Sequence, residues 1–311
     1  MHDAALSQTP PVNVLIRKGE FHDTARARAI PYKLYYPENL AGKMPLIIWS
    51  HGFGGNRDGA AFLSRFLGQH GYVLLHITHI GTDSSLWEGK PGHPWDILRQ
   101  VKVSRKSSLE RFADVPFVLD QLPAFIKEHA DIGPFIDLNN IGMSGHSFGA
   151  MTTQVMAGMR FPDLDDNLTQ MKDDRFKAGI LYSPVPIKHL SDAPDTDLYS
   201  TITLPLQHQT GTDDASPLEN FGYEQRLAVC KNSTGPRHLL VKHDGDHMVY
   251  NGTRGKLEAN PKRGRHEEII GRTALAYWDM MLKNDEAART FLTGTGVQQF
   301  LGKDADYTIH A

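Results

Sequence analysis

Three kinds of side chain in this sequence could together make and break an acyl bond: a serine at a strained turn, an imidazole to take its proton, and a carboxylate to hold the imidazole. The serine is Ser147, within Asn140-Ile141-Gly142-Met143-Ser144-Gly145-His146-Ser147-Phe148-Gly149-Ala150. That stretch reads as a short buried strand, a sharp turn and a helix, and its centre, Gly145-His146-Ser147-Phe148-Gly149, has the form G-x-S-x-G. Larger residues at 145 or 149 would collide with the flanking strand and helix. A helix starting at Ser147 aims its amide groups and positive dipole end at charge forming near the hydroxyl. The hydroxyl becomes a nucleophile only with a base within hydrogen-bond reach and a carboxylate to orient that base.

Two downstream loops offer these partners. Thr210-Gly211-Thr212-Asp213-Asp214-Ala215-Ser216-Pro217 follows one expected strand, and His243-Asp244-Gly245-Asp246-His247-Met248 follows another. Asp214 is favoured as the acid, because G-x-x-D from Gly211 suits a turn at a strand end; Asp213 is the second choice. Either also suits a plain N-cap for a helix beginning near Pro217. His247 is favoured as the base over His243, which closes the expected strand, whereas His247 lies past Gly245 on an exposed loop. There are 16 histidines, so only its place after the serine and the acid singles His247 out. His243, Asp244, Asp246 and His247 make a poor metal set, since all lie on one loop with no further ligand placed to complete it.

The oxyanion formed in acyl transfer needs two fixed donors. The amides of Phe148, just after the serine, and of Phe53, in His51-Gly52-Phe53-Gly54-Gly55, are assigned to it. A phosphate loop fits these glycines less well, because no G-K-[ST] follows. Trp87 and Trp95, with Phe53 and Phe148, are expected to shape an acyl pocket; a small hydrophobic cluster under their loop is the competing reading for the tryptophans.

The elements that must position these groups alternate. Strands are expected at 12–17, 32–36, 44–50, 72–77, 178–182, 204–209 and 238–242, besides the one leading into Ser147. Residues 19–29 read as a link between the first two strands. Helices are expected at 60–69, 105–129 with a break allowed at Pro123, 150–159, 218–230, 267–282 and 286–292, with long loops at 78–104 and 183–203 and an acidic connection at 161–176. Buried apolar strands alternating with helices predict an α/β fold with a mostly parallel sheet. Residues 1–11 read as a flexible segment and 12–311 as one domain.

Composition narrows the classes. A net charge of −3, with no basic stripe, argues against nucleic acid. No apolar run approaches the roughly 20 residues needed to cross a bilayer. The lone Cys230 rules out an internal disulfide. The first eleven residues lack a basic start and an apolar core, so no signal peptide is visible.

In order along the chain, Ser50-His51-Gly52-Phe53-Gly54-Gly55-Asn56-Arg57, His70-Gly71-Tyr72, Gly145-His146-Ser147-Phe148-Gly149-Ala150, Thr210-Gly211-Thr212-Asp213-Asp214 and Gly245-Asp246-His247-Met248 resemble the bacterial α/β-hydrolases grouped with dienelactone hydrolases and platelet-activating factor acetylhydrolases. The resemblance spans roughly residues 30 to 292. It implies an α/β-hydrolase fold, with helices on both faces of the sheet, and ester hydrolysis by a serine without metal or organic cofactor. It also supports Asp214, since its T-G-T-x-D form puts the acid there. One departure matters: dienelactone hydrolases proper use a cysteine nucleophile, and Ser147 stands in its place, so a dienelactone substrate is not expected. The expected activity is a serine carboxylesterase acting on small-molecule or polymeric esters, with short to medium acyl groups and polyester or phospholipid-type acetyl esters within its range. A peptidase or amidase with the same triad is the alternative, as is a catalytically silent binding protein on the same scaffold.

Overall fold

Every residue of the strand Met44–Ser50 is buried in the computed structural model, which describes residues 12–252 and 260–310. Leu46 and Ile48 enter one core, while Ile47 and Trp49 enter the other. This is the period-two alternation of a pleated strand whose two faces are both covered, which is why the run reads as continuously apolar. The segment expected to be flexible, 1–11, lies outside the described residues.

In chain order, β1 (Val14–Asp23) and β2 (Arg28–Pro37) form a hairpin, followed by β3 (Met44–Ser50), α1 (Ala61–Gln69) and β4 (Val73–Ile77). A long crossing carries α2 (Pro94–Leu98) and leads into α3 (Arg105–Glu128). Next come β5 (Ile136–His146), α4 (Phe148–Met156), a small hairpin of β6 (Arg160–Pro162) and β7 (Leu168–Gln170), and β8 (Phe176–Tyr182). Then follow α5 (Asp195–Tyr199), β9 (Leu206–Asp213), α6 (Tyr223–Asn232) and β10 (Arg237–Asp246). The chain closes with α7 (Arg263–Leu282), α8 (Glu286–Thr293), α9 (Gly296–Leu301) and β11 (Ala305–His310).

Nine strands form one sheet in the order β1-β2-β4-β3-β5-β8-β9-β10-β11. From β4 to β10 all neighbours are parallel; the antiparallel pairs lie toward the two edges. Helices α3 to α6 share one core with the sheet, and α1, α7, α8 and α9 the other. The molecule is therefore an α/β protein with a large, mostly parallel sheet flanked by helices on both faces. Among the described residues, no helix is long and apolar enough to cross a membrane.

Several boundaries differ from those expected. β1 runs on to Asp23, so most of the supposed link at 19–29 is strand; its Lys18, Glu20 and His22 carry no apolar signal because this outer strand meets solvent. α3, expected over 105–129, runs unbroken through Pro123, where a break was allowed, and through Pro116. A proline inside a helix costs about 3 kcal/mol, and Phe112, Val115, Val118, Leu122 and Phe125, buried along one side of α3, offset it. The connection at 161–176 folds as the β6–β7 hairpin. α6 starts at Tyr223, not near 218, because the preceding residues close a turn in which the Ser216 amide donates to the Phe221 carbonyl at 2.9 Å. α9 and β11 follow the last expected helix; β11 is an edge strand with only Ala305 and Tyr307 buried, too short a pattern to stand out.

Candidate active site

Ser147 sits between β5 and α4 with φ 56° and ψ −117°, a strained conformation for a residue with a side chain. Its amide is pinned to the Tyr182 carbonyl of β8 at 2.9 Å. The glycines on either side have the steric reason expected of them. A Cβ on Gly149 would lie 1.9 Å from the Ser50 carbonyl oxygen, and one on Gly145 would lie 2.4 Å from the backbone of Gly149. The turn is thus packed directly on the end of β3, and the serine is half-buried at the floor of a cleft.

The expected acid and base meet. His247 Nδ1–H donates to Asp214 Oδ1 at 2.7 Å, and Thr210 donates its hydroxyl to Asp214 Oδ2 at 2.8 Å. Asp214 is wholly buried at the end of β9 and His247 nearly so just past β10, rather than on an exposed loop. Asp213 points into solvent from the last position of β9; it caps no helix, since α6 begins after Gly222. His243 lies within β10, which continues to Asp246, and turns away to Asp306 at 2.8 Å. Asp246 accepts the amides of Met248 and Val249. The four residues weighed as a metal set thus face different ways, and among the described residues no three His, Cys, Asp or Glu side chains are placed to hold an ion.

Arg226 of α6, which no sequence pattern marked, holds the acid in place. Its Nε reaches both the Asp214 carbonyl at 3.0 Å and Oδ1 at 3.1 Å, and its Nη1 donates to the Pro184 carbonyl at 2.9 Å. Burial by itself would raise the Asp214 carboxyl, but the Arg226 and His247 charges outweigh it and hold the carboxyl below the usual carboxylate range. Arg226 Nη2 also lies 3.1 Å from His247 Nδ1. His146, the residue before the serine, donates Nε2–H to the His247 carbonyl at 2.8 Å and packs its ring on that imidazole at 4.6 Å. Burial first, then the neighbouring His247, keep His146 well below the usual histidine value and therefore neutral. The base loop is in this way fastened to the elbow. Ser147 and His247 face the same cleft, and among the described residues no hydrogen bond joins the serine hydroxyl to the imidazole. Such contacts commonly tighten only in the substrate complex.

The loop after β3 lies beside the elbow, and the rings of Phe53 and Phe148 are 6.4 Å apart. Among the described residues, neither the Phe53 nor the Phe148 amide donates to a protein acceptor. The loop is strapped down by the 78–104 crossing: the Gly54 amide donates to the Thr82 carbonyl at 2.9 Å and Trp87 Nε1–H to the Gly54 carbonyl at 2.7 Å. Gly54 needs its φ of +70°, and a Cβ there would lie 2.6 Å from Leu98. Trp87 and Trp95 both line the cleft. The cleft measures about 980 Å³, and apolar side chains such as Leu98, Met151 and Val185 dominate its walls together with Phe53, Trp87, Trp95, Phe148 and Phe221.

A second Ser–His–Asp chain lies beneath this loop. Ser50 Oγ is 2.9 Å from His79 Nε2, and His79 Nδ1 is 2.9 Å from Asp114 Oδ2. All three are wholly buried and none lines the cleft. Asp114 is bound by Arg28 at 2.6 Å and by Arg26 at 3.0 Å. This set opens neither to solvent nor to the cleft, so side-chain type and hydrogen bonding alone do not single out a candidate site; the strained elbow and the cleft distinguish Ser147.

Comparison of the chain with protein-family models gives no match, and comparison with curated proteins gives no significant match.

Proposed function

We propose that this chain is a serine carboxylesterase with an α/β-hydrolase fold, hydrolysing esters through an acyl-enzyme. The observation that carries the reading is His247, bound to the buried Asp214 at 2.7 Å and lining the same cleft as the strained Ser147. Strand order supports it: the serine follows β5, the acid β9 and the base β10, all parallel and all presenting their carboxyl ends to one edge of the sheet.

In this mechanism His247 Nε2 takes the proton of Ser147 Oγ as that oxygen bonds to the ester carbon. The carbonyl π pair moves onto oxygen, where the amides of Phe53 and Phe148 receive it. Collapse breaks the bond to the alcohol oxygen, which leaves with the proton from His247. Water, deprotonated by His247, adds to the acyl carbon; collapse breaks the bond to Ser147 Oγ, which takes the proton back from His247, and the carboxylic acid departs. Asp214 fixes the imidazole tautomer and offsets its transient charge. The apolar walls favour uncharged acyl groups of short to medium length.

A series of p-nitrophenyl esters of rising acyl length, with a soluble polyester and a phospholipid-type acetyl ester, tests the reading. Ser147→Ala is expected to lower kcat by on the order of 10⁴-fold or more. Faster cleavage of matched amides than of esters would point to a peptidase. A folded chain whose Ser147 resists a fluorophosphonate probe would point to a silent scaffold.

A further inference from the structure

Arg111 lies inside α3 with no exposed surface, where a guanidinium is costly unless its donors are met. Its three nitrogens reach the segments that carry the two proposed oxyanion donors. Nε donates to Thr152 Oγ1 of α4 at 2.8 Å, and that hydroxyl donates to the Phe148 carbonyl at 2.9 Å. Nη1 donates to Thr82 Oγ1 at 2.9 Å, and the Thr82 carbonyl accepts the Gly54 amide at 2.9 Å. Nη2 donates to Ser50 Oγ at 2.8 Å and to the His51 carbonyl, at the start of the Phe53 loop. The guanidinium carbon also lies 4.4 Å from the centre of the Phe148 ring. None of these acceptors is a carboxylate. Among the described residues Arg111 makes no ion pair, and Asp114, one turn further along α3, is engaged by Arg28, Arg26 and His79.

We propose that Arg111 is a positioning residue that joins the two halves of the oxyanion hole, fixing the Phe53 loop against the Phe148 elbow, and that its unpaired buried charge favours the tetrahedral intermediate. The inference rests on the esterase reading. The two amides come from segments about a hundred residues apart in sequence, yet both must sit roughly 2.7–3.1 Å from one oxygen that carries charge only transiently. A planar fork with several fixed donors can tie both segments at once; a lysine, with one point of attachment, cannot. Burial lowers the guanidinium to about 9, so it stays protonated at neutral pH, in surroundings of low dielectric where a charge acts strongly.

The test compares the wild type with Arg111→Lys, Thr152→Val and Thr82→Val. Each is measured for kcat and KM on p-nitrophenyl butyrate and for inhibition by phenylboronic acid, whose boron accepts the Ser147 oxygen and becomes tetrahedral. Arg111→Lys is expected to lower kcat by about 10- to 100-fold, the effect of misplacing an oxyanion donor. KM should stay within about threefold, because the lost interaction acts in the transition state. Boronic acid affinity should fall in proportion to kcat. Each threonine variant loses one acceptor of Arg111 and should lower kcat and boronic acid affinity by about fivefold, the value of one hydrogen bond; these two carry the test should Arg111→Lys not fold. A folded Arg111→Lys with kcat within about twofold of wild type, a change confined to KM, or a drop in kcat without loss of boronic acid affinity would overturn the inference. A wild type that neither cleaves esters nor binds the boronic acid would overturn the esterase reading, and this inference with it. A wild type that does both, beside unaffected variants, would overturn this inference alone.

Discussion

Asp213 and Asp214 are identical side chains one position apart, and their surroundings divide them. Asp213 ends β9 in solvent, whereas Asp214 is buried against His247, Thr210 and Arg226. Asp214→Asn is expected to lower kcat on p-nitrophenyl acetate by about 10⁴-fold, as loss of a triad carboxylate does. Asp213→Asn should leave kcat within about twofold; equal losses would refute the assignment. Both residues stood out in the sequence, as did Ser147 and His247, because each lies where an expected strand gives way to a loop. Arg226 and Arg111 did not, since a lone arginine in a helical segment looks the same whether it meets water or the core. Only distant parts of the chain converging on them reveal their roles. Lys242 is another such residue: wholly buried, it donates to the Thr210 carbonyl at 3.0 Å and to the Tyr250 hydroxyl. Burial lowers its ammonium to about 7 from an ordinary value of 10.5. Between those values the unfolded chain holds a proton that the folded chain has released, so this group makes stability rise with pH across that window. Urea unfolding at pH 7, 8 and 9 should therefore show a larger gain with pH in the wild type than in Lys242→Met.

At the scale of elements, strands covered on both faces were the most legible. β3, β4 and β8 were anticipated within a few residues, because a two-sided core demands apolar runs; β9 and β10 were placed as well, but they carry more polar residues and run on past the expected ends at 209 and 242. Outer strands were legible only in part: a strand was expected at 12–17, but β1 runs on to Asp23 through exposed polar residues, and β11, mostly exposed, was not anticipated. α3 was anticipated almost to the residue; only its unbroken passage through Pro123, where a break was allowed, went beyond the expectation, because the packing that holds it comes from the sheet. The elbow is the reverse case: a local pattern whose meaning is wholly steric. Gly149→Ala would place a methyl group 1.9 Å from the Ser50 carbonyl oxygen, and with backbone on both sides neither can yield. The variant is expected to lose about 3 kcal/mol or more, read by urea denaturation, and to lose activity along with it.

Across the whole molecule, one sheet brings together groups from distant parts of the sequence at the carboxyl ends of its parallel strands, and its far edge bears on the site. β11 pairs along β10, the strand that delivers His247, and Tyr307 of β11 reaches His238 at 2.8 Å. Truncation after Gly302 should lower Tm by more than about 5 °C, given the pairing and the buried tyrosine removed, and should lower activity below the loss of folded protein. Differential scanning calorimetry with an activity assay on the same sample separates the two effects. The order of elements has one more consequence. The turn between β6 and β7 is exposed, with Leu164 at 64%, and it lies in sequence between Ser147 and the other two members of the proposed triad. A protease nick there would leave Ser147 and the amides of Phe53 and Phe148 on one fragment, and Asp214 and His247 on the other. Hydrolysis would then report on whether the two fragments stay associated.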